Sequence, residues 1–221
     1  NTFNTVFLAV AVSFLIIFIS LLINYSARIK ETKINLFFNK IASLGYAMPG
    51  SIIAIGVLIP FTYFDHFFVN FFKINFNLDI NAFFTGSIFI LCFAYIVRFF
   101  TISQTNIESS FLRISKNIDH TARVLGKKPI LILFNIHIPL MSLSILLSLI
   151  LIFIEIIKEL SATLILRPFN FNTLAIQVYE YASEEKIIES SIPSLIIVVL
   201  CVIGIIFISR INNHLLESGK R

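Results

Sequence analysis

The chain predicts an all-α fold: a polytopic transmembrane helix bundle of about five membrane spans with one long cytoplasmic coupling loop. Three observations carry that expectation. Hydrophobic residues make up 57% of the 221 residues and charged residues only 13%, against about 25% charged in an ordinary soluble domain. Five uncharged runs, 5–23, 41–64, 80–97, 129–154 and 190–209, reach or approach the roughly 20 residues that cross a hydrocarbon core, where only helices satisfy every backbone group. The cationic residues are segregated. Alternating the five runs puts 24–40, 98–137 and 210–221 on one side, and these hold all of the 17 Lys and Arg residues except Lys73, Lys158, Arg167 and Lys186. Positive loops stay in the cytoplasm, so the N-terminus is expected outside and the C-terminus inside. The net charge of +5 is then a topology signal. No basic strip carries the aromatic or base-reading company that nucleic acid would need.

Each run has its own punctuation. The first opens at Asn1 without a basic n-region or a small-residue cleavage site, so it reads as a span and not as a signal peptide. The absent initiator Met reads as a fragment or a processed chain. The second contains Gly45-Tyr46-Ala47-Met48-Pro49-Gly50, a helix start or kink, followed by Ser51, Ala54 and Gly56 as small residues for close helix contact. Residues 65–79, rich in Phe and Asn, are expected to face outward as a connection. Asp65 and His66 there make a weak metal pair with no third ligand. Cys92 and Cys201 fall inside apolar runs and read as small buried hydrophobes, not as a disulfide. The fourth run is overlong, and its membrane part is placed near 138–157. No Gly/Ser- or Pro-rich linker divides the chain, so residues 1–221 read as a single domain.

The loop at about 98–139 is long for so hydrophobic a protein. Phe111, Ile114, Ile118, Ala122 and Leu125 recur at offsets of 3, 4, 4 and 3, which draws one apolar stripe along a helix. Arg113, Lys116 and Arg123 lie off it. Gly126 suits a C-cap and Pro129 the first turn of the next helix. Periodicity alone serves two readings equally, a helix that docks on a protein or one that lies on lipid headgroups. His120 and His137 lack a third ligand for a metal. Beyond the loop, Glu155 and Glu159 are four apart, expected on one helix face, with Lys158 three from Glu155. Ionisable residues at the edge of a span are functional candidates, although a Glu155–Lys158 pair that satisfies itself is the plainer alternative.

Spacing and motifs together carry a resemblance. His120-Thr121-Ala122, then Gly126 after three residues, then Ile136-His137-Ile138-Pro139 after nine more, resembles the Glu-Ala-Ala coupling loop of ABC-importer inner-membrane permeases. The acidic first residue is missing, with Asp119 one position early. Gly45 to Gly50 resembles the Gly-Tyr-Ala-x-Pro-Gly of the ferric-iron branch. Lys158-Glu159-Leu160-Ser161-Ala162-Thr163-Leu164 and Leu166-Arg167-Pro168-Phe169 resemble its Lys-Glu-Leu-Pro-Ala-Thr-Leu and Leu-Arg-Pro-Phe signatures, with Ser161 in place of Pro. Residues 172–175 and 179–184 continue the likeness, which runs from about Gly45 to Arg210 and is similar to the C-terminal half of permeases that fuse two halves.

What the resemblance implies is a transport subunit, not an enzyme, in the bacterial inner membrane. Its partners would be a cytoplasmic ABC ATPase, a second permease half, an extracytoplasmic substrate-binding protein and the lipid bilayer. His120, Thr121, Ala122, Gly126, Ile136 and Pro139 would form the ATPase-coupling loop. Glu155, Glu159, Tyr179 and Glu180 would offer oxygen ligands along an iron pathway, with no defined metal site. No cofactor is expected in this chain: Gly126-Lys127-Lys128 lacks the upstream Gly of a phosphate loop, so ATP and Mg²⁺ would belong to the partner. Permeases for thiamine, phosphonate or polyamine share such a loop and stay open as alternatives. Half of a secondary transporter or a channel would need no such loop, and a structural anchor would have no reason for Glu155 and Glu159.

Overall fold

The computed structural model describes residues 1–29, 45–77 and 81–218, with side chains described as far as Arg210. Among these the secondary structure is helical, with no strand. Helix α1 spans Thr2–Ile29, α2 Gly50–Phe76, α3 Ile88–Arg113, α4 Lys116–Val124, α5 Pro129–Leu140, α6 Ser142–Ile157, α7 Ser161–Leu166, α8 Leu174–Ser183 and α9 Ile187–Ser218. Among the described residues four helices are long and apolar enough to cross a membrane, or five if the bent pair α5–α6 makes one span. The protein is a multi-pass helical bundle.

Helices α1, α3 and α6 pack against one another and hold the core, where Leu8, Ile16, Ile90, Phe99, Ile152 and Ile157 are buried. Between helices in lipid the hydrophobic effect supplies no driving force, so small residues and hydrogen bonds hold the contact. The α1–α3 seam shows this. Asn24 Nδ2 donates to Gln104 Oε1 at 2.8 Å, Gln104 Nε2 returns a bond to Asn24 Oδ1 at 3.1 Å, and Ser20 is packed beside them. Ser13 disposes of its hydroxyl proton on its own helix, at the Ala9 carbonyl. Helix α9 packs on α8 and α6, yet only 6% of its span is buried.

The two ends of the bundle are set by α1. At its start Asn1 reaches Gln177, and Thr5 Oγ1 accepts from the Leu174 amide at 2.8 Å. At its end Tyr25 donates to the Pro129 carbonyl and Arg28 reaches Asp119. Residues 167–183 and 114–137 therefore lie at opposite ends.

Several expected boundaries move. The third long helix is α3, Ile88–Arg113, so residues 98–113 continue the helix of the third apolar run instead of opening an irregular loop. Arg98 sits ten residues inside α3, about 15 Å from its start. A charge ends an apolar run in a hydropathy reading, but a paired charge need not end a helix. The 65–79 connection is likewise a correction. Helix α2 continues to Phe76, because Asp65 is folded against the start of α3, accepting amide bonds from Phe83, Phe84 and Thr85 at 2.7–2.9 Å. The proposed membrane part at 138–157 is broken at Met141, where α5 and α6 meet at 77°. A π-helical turn at Leu133–His137 and the missing amide of Pro139 loosen the ladder just before that bend. The second run's first residues, 41–44, and Lys30, Lys33, Lys40, Asp79, Lys220 and Arg221 lie outside the described residues.

The Gly45–Gly50 segment owes its composition to crowding. A Cβ on Gly45 would stand 2.0 Å from the Val97 carbonyl oxygen, and one on Gly50 would stand 1.6 Å from an Arg98 guanidinium nitrogen. The Val97 obstacle is backbone and cannot swing aside. Gly45→Ala is expected to lower the detergent melting temperature of the protein, with a stability loss of about 1–3 kcal/mol, whereas Gly56→Ala, which faces open space, should leave it unchanged. Equal melting of the two variants would remove the crowding account.

Candidate functional site

Three clusters gather the chain's polar chemistry. The first ties the loop end together. Asp119, buried on α4, receives Arg28 Nε on one carboxylate oxygen at 2.7 Å and His137 Nε2 on the other at 2.6 Å. The same guanidinium donates to the carbonyls of Phe111, Ile114 and Ser115 at 2.6–3.1 Å. They lie where α3 ends and the chain turns into α4; the Phe111 and Ser115 carbonyls also accept the Ile114 and Ile118 amides. Tyr25, Phe111 and the fully buried His137 ring close the apolar side. Burial works against the Asp119 anion, but the hydrogen bonds from Arg28 and His137 outweigh it and hold the carboxyl below its usual range.

Helix α4 then ends in a complete glycine cap. Gly126 takes φ +76, its amide bonds the Arg123 carbonyl at 2.9 Å, and the Lys127 amide bonds the Ala122 carbonyl at 3.0 Å. This is the Schellman arrangement, and the φ > 0 position at its corner favours glycine. Pro129 opens α5 as its first residue. The expected single stripe is a correction. The break at Ile114–Ser115 divides it between two helices, so Phe111 and Ala122 are buried while Ile118 and Leu125 are exposed. The rest of the expected set is dispersed: His120, Thr121 and Pro139 are exposed and Ile136 is half-buried.

The second cluster lies inside the bundle. Arg98 on α3 meets Glu159 at 3.1 Å. The same Glu159 oxygen accepts the Ala162 amide at 2.9 Å, capping the start of α7. Tyr95 and Thr163 are hydrogen-bonded beside it. Glu155 and Glu159 do not share one helix face, another correction. Helix α6 ends at Ile157, so Glu159 turns inward to Arg98 while Glu155 pairs with Lys158 at 2.8 Å. The bend forms with Ser161, not a proline, as the first residue of α7. The third cluster sits at the opposite end from the loop. Glu180 pairs with Arg167 at 2.9 Å, and Asn172 lies between them. Tyr179 is exposed. Glu180, Glu155 and Glu159 thus pair with three different cations, Arg167, Lys158 and Arg98. No group of three or more His, Cys, Asp or Glu residues fit to hold a metal occurs among the described residues.

Sequence reasoning missed Arg28 and Arg98 as partners and treated Asp119 only as an offset. One signal was available: a lone Arg inside an apolar run is costly unless paired.

No protein-family profile matches the chain. The chain is similar to the Fe(3+)-transport system permease protein FbpB 2 of Haemophilus influenzae, with 23% identity over 177 residues. The match takes in 80% of this chain and 32% of that protein, so the chain spans about a third of the curated relative's length. The likeness to ferric-iron-type importer permeases, read first from short motifs, thus extends to an aligned relative over most of the chain.

The Asp119 latch has a testable cost. Asp119→Asn leaves a buried guanidinium without its counter-ion, and breaking such a pair costs about 3–5 kcal/mol. Because the folded carboxyl lies below its usual pKa, the latch is fully formed at neutral pH. It persists as pH falls through the ordinary carboxylate range and is lost only as pH drops through the lowered value. Hydrogen exchange of residues 114–126 should therefore stay slow at mildly acidic pH in the native protein and be fast at every pH in Asp119→Asn. Equal protection in both would dismiss the latch.

Proposed function

We propose that this chain forms one permease half of an ATP-driven importer, with ferric iron as the cargo. The observation that carries this reading is the exposed end of α4. Val124 and Leu125 are 87% and 75% exposed on a helix that lies beyond the spans and is fixed at its other side by Asp119. Arg123, Lys127 and Lys128 border them. Held rigidly and left uncovered, these two side chains suit insertion into an apolar groove of an ATPase subunit. The latch gives the contact mechanical meaning. A displacement of α4 would pass through Asp119 to Arg28 and the end of α1, and through His137 to α5. Packed elements of this kind switch between discrete arrangements. The relative's printed role in Fe(3+) transport supports the iron cargo, and the oxygen-bearing Glu155, Glu159, Tyr179 and Glu180 offer candidates for a hard cation.

In this reading the chain lies in a bacterial inner membrane as a single permease domain, with the loop end and the C-terminus in the cytoplasm. A second permease half, a cytoplasmic ATPase that binds ATP and Mg²⁺, and an extracytoplasmic binding protein complete the complex. Importers for thiamine, phosphonate or polyamine would use the same loop, so cargo is separated by uptake and not by docking.

Val124→Asp together with Leu125→Asp is expected to leave folding intact, because both side chains are exposed. The doubly substituted permease should enter the membrane normally, lose co-purification of the ATPase and lose iron uptake. Undiminished capture of the ATPase would end the docking role. Orientation has its own check. In intact cells an impermeant thiol reagent should modify Ser183→Cys and spare Ser115→Cys, and the opposite pattern would invert the topology.

A further inference from the structure

One side of α4 carries charge that the Asp119 cluster does not use. Lys116, His120 and Arg123 stand at offsets of 4 and 3, which places them along one face of the helix. Between that face and the end of α1 lies a hollow of about 250 Å³. Among the described residues it is lined by Tyr25, Arg28, Ile29, Lys116, Asp119, His120 and Arg123. Val124 and Leu125 do not line it, so the exposed apolar tip and the hollow are separate surfaces of α4.

The hollow favours an anion. Arg28, Lys116 and Arg123 bring three cations to it against the single carboxylate of Asp119. That carboxylate is already compensated, with Arg28 at 2.7 Å on one oxygen and His137 at 2.6 Å on the other. Arg28 commits its hydrogen bonds to Asp119 and three backbone carbonyls, so it contributes mainly charge. The Tyr25 hydroxyl gives its proton to the Pro129 carbonyl and has none to offer. The open donors are those of His120 and Arg123. Both residues are exposed, and their side chains make no hydrogen bond or ion pair among the described residues. A guanidinium presents a planar fork matched to phosphate oxygens, and an imidazole adds a nitrogen donor.

Depth narrows the source of the anion. The first apolar run ends at Ile23, while α1 continues to Ile29. Arg28 therefore stands about 7 Å beyond the run along the helix axis. The headgroup layer of a bilayer occupies roughly 5–8 Å outside the hydrocarbon on each side. Tyr25, nearer the hydrocarbon, lies where amphipathic rings gather at a membrane surface. The hollow has room for about eight waters at roughly 30 Å³ each, more than one phosphate group needs.

We propose that this hollow binds the phosphate group of an anionic phospholipid, with Arg123 and His120 as donors and Arg28 and Lys116 as surrounding charge. The inference rests on the importer reading only in placing the loop end at the cytoplasmic surface. Basic pockets between helices on that side suit anionic headgroups. Bound there, a headgroup ties α4 to the bilayer surface beside the Asp119 latch. Inorganic phosphate from the cytoplasm carries the same chemistry, and the depth of the hollow favours the lipid.

The test is a titration of the full-length permease in detergent with phosphatidylglycerol, the bound lipid being counted by native mass spectrometry. Phosphatidylcholine and inorganic phosphate are titrated in parallel. Phosphatidylglycerol should bind saturably and more tightly than either. Arg123→Gln should weaken it about fivefold, the contribution of one basic residue near an anionic surface, and Arg123→Lys should retain most of the affinity. Lys127→Gln makes the same charge change outside the hollow and should leave affinity unaltered. Equal affinity in the native protein and Arg123→Gln overturns the site, as does an equal loss in Lys127→Gln. Saturable inorganic phosphate binding that needs Arg123, without preference for phosphatidylglycerol over phosphatidylcholine, keeps the phosphate site and overturns its lipid source. If Arg123→Gln loses capture of the ATPase while lipid binding is unchanged, an acidic protein surface is the occupant and the proposal falls. The lipid titration contains no ATPase and no iron, so its failure leaves the importer reading standing, and failure of ATPase capture by the Val124 and Leu125 variant leaves the lipid site standing.

Discussion

Arg98 and Glu159 meet 3.1 Å apart inside an apolar bundle, where neither charge can be left alone. Removing either partner would strand the other away from water, at a cost far above that of a surface pair. The local structure is arranged around that necessity. Glycine at position 50 leaves room for the guanidinium, since any Cβ there would occupy the same space. The break between α6 and α7 turns Glu159 inward, and its carboxylate caps the Ala162 amide as it does so. One pair thereby fixes the start of α2, the middle of α3 and the joint between α6 and α7.

The loop end repeats the principle with different parts. A helix end leaves carbonyls with spare acceptor capacity, and the junction of α3 with α4 brings three carbonyls close together. Arg28, arriving from α1, takes all three and the Asp119 carboxylate with one guanidinium. Five donors in a planar fork make arginine suited to this and lysine poorly suited. Helix α4 is therefore held by α1, a remote element in sequence, while its own C-terminal end is closed by Gly126. The result is a fixed base under the exposed Val124 and Leu125.

Between the two clusters lies the division of labour among the acidic residues. Glu159 is bonded by Arg98 and the Ala162 amide, and Asp119 by Arg28 and His137, and both hold helices in place. Glu155 has only a solvent-accessible lysine and borders open space. Glu180, paired with Arg167 at the far end, is separated from both. Carboxylates that look alike in sequence thus differ by what already occupies them.

Composition and hydropathy were enough for the class of fold, because the bilayer's demand for internal backbone bonding leaves few solutions at this length and polarity. Gly126 was also legible, since the need for φ > 0 at a helix end is local and glycine meets it cheaply. The rest was decided by contacts far apart in the chain. Arg98 read as the start of a loop because hydropathy treats every charge as exposed, and only Glu159, 61 residues away, makes it an interior residue. Asp119 looked like a displaced motif position until Arg28 and His137 closed on it. Glu155 and Glu159 share a face only if the helix continues between them. It ends at Ile157, and Glu159 beyond it lies in the core against Arg98.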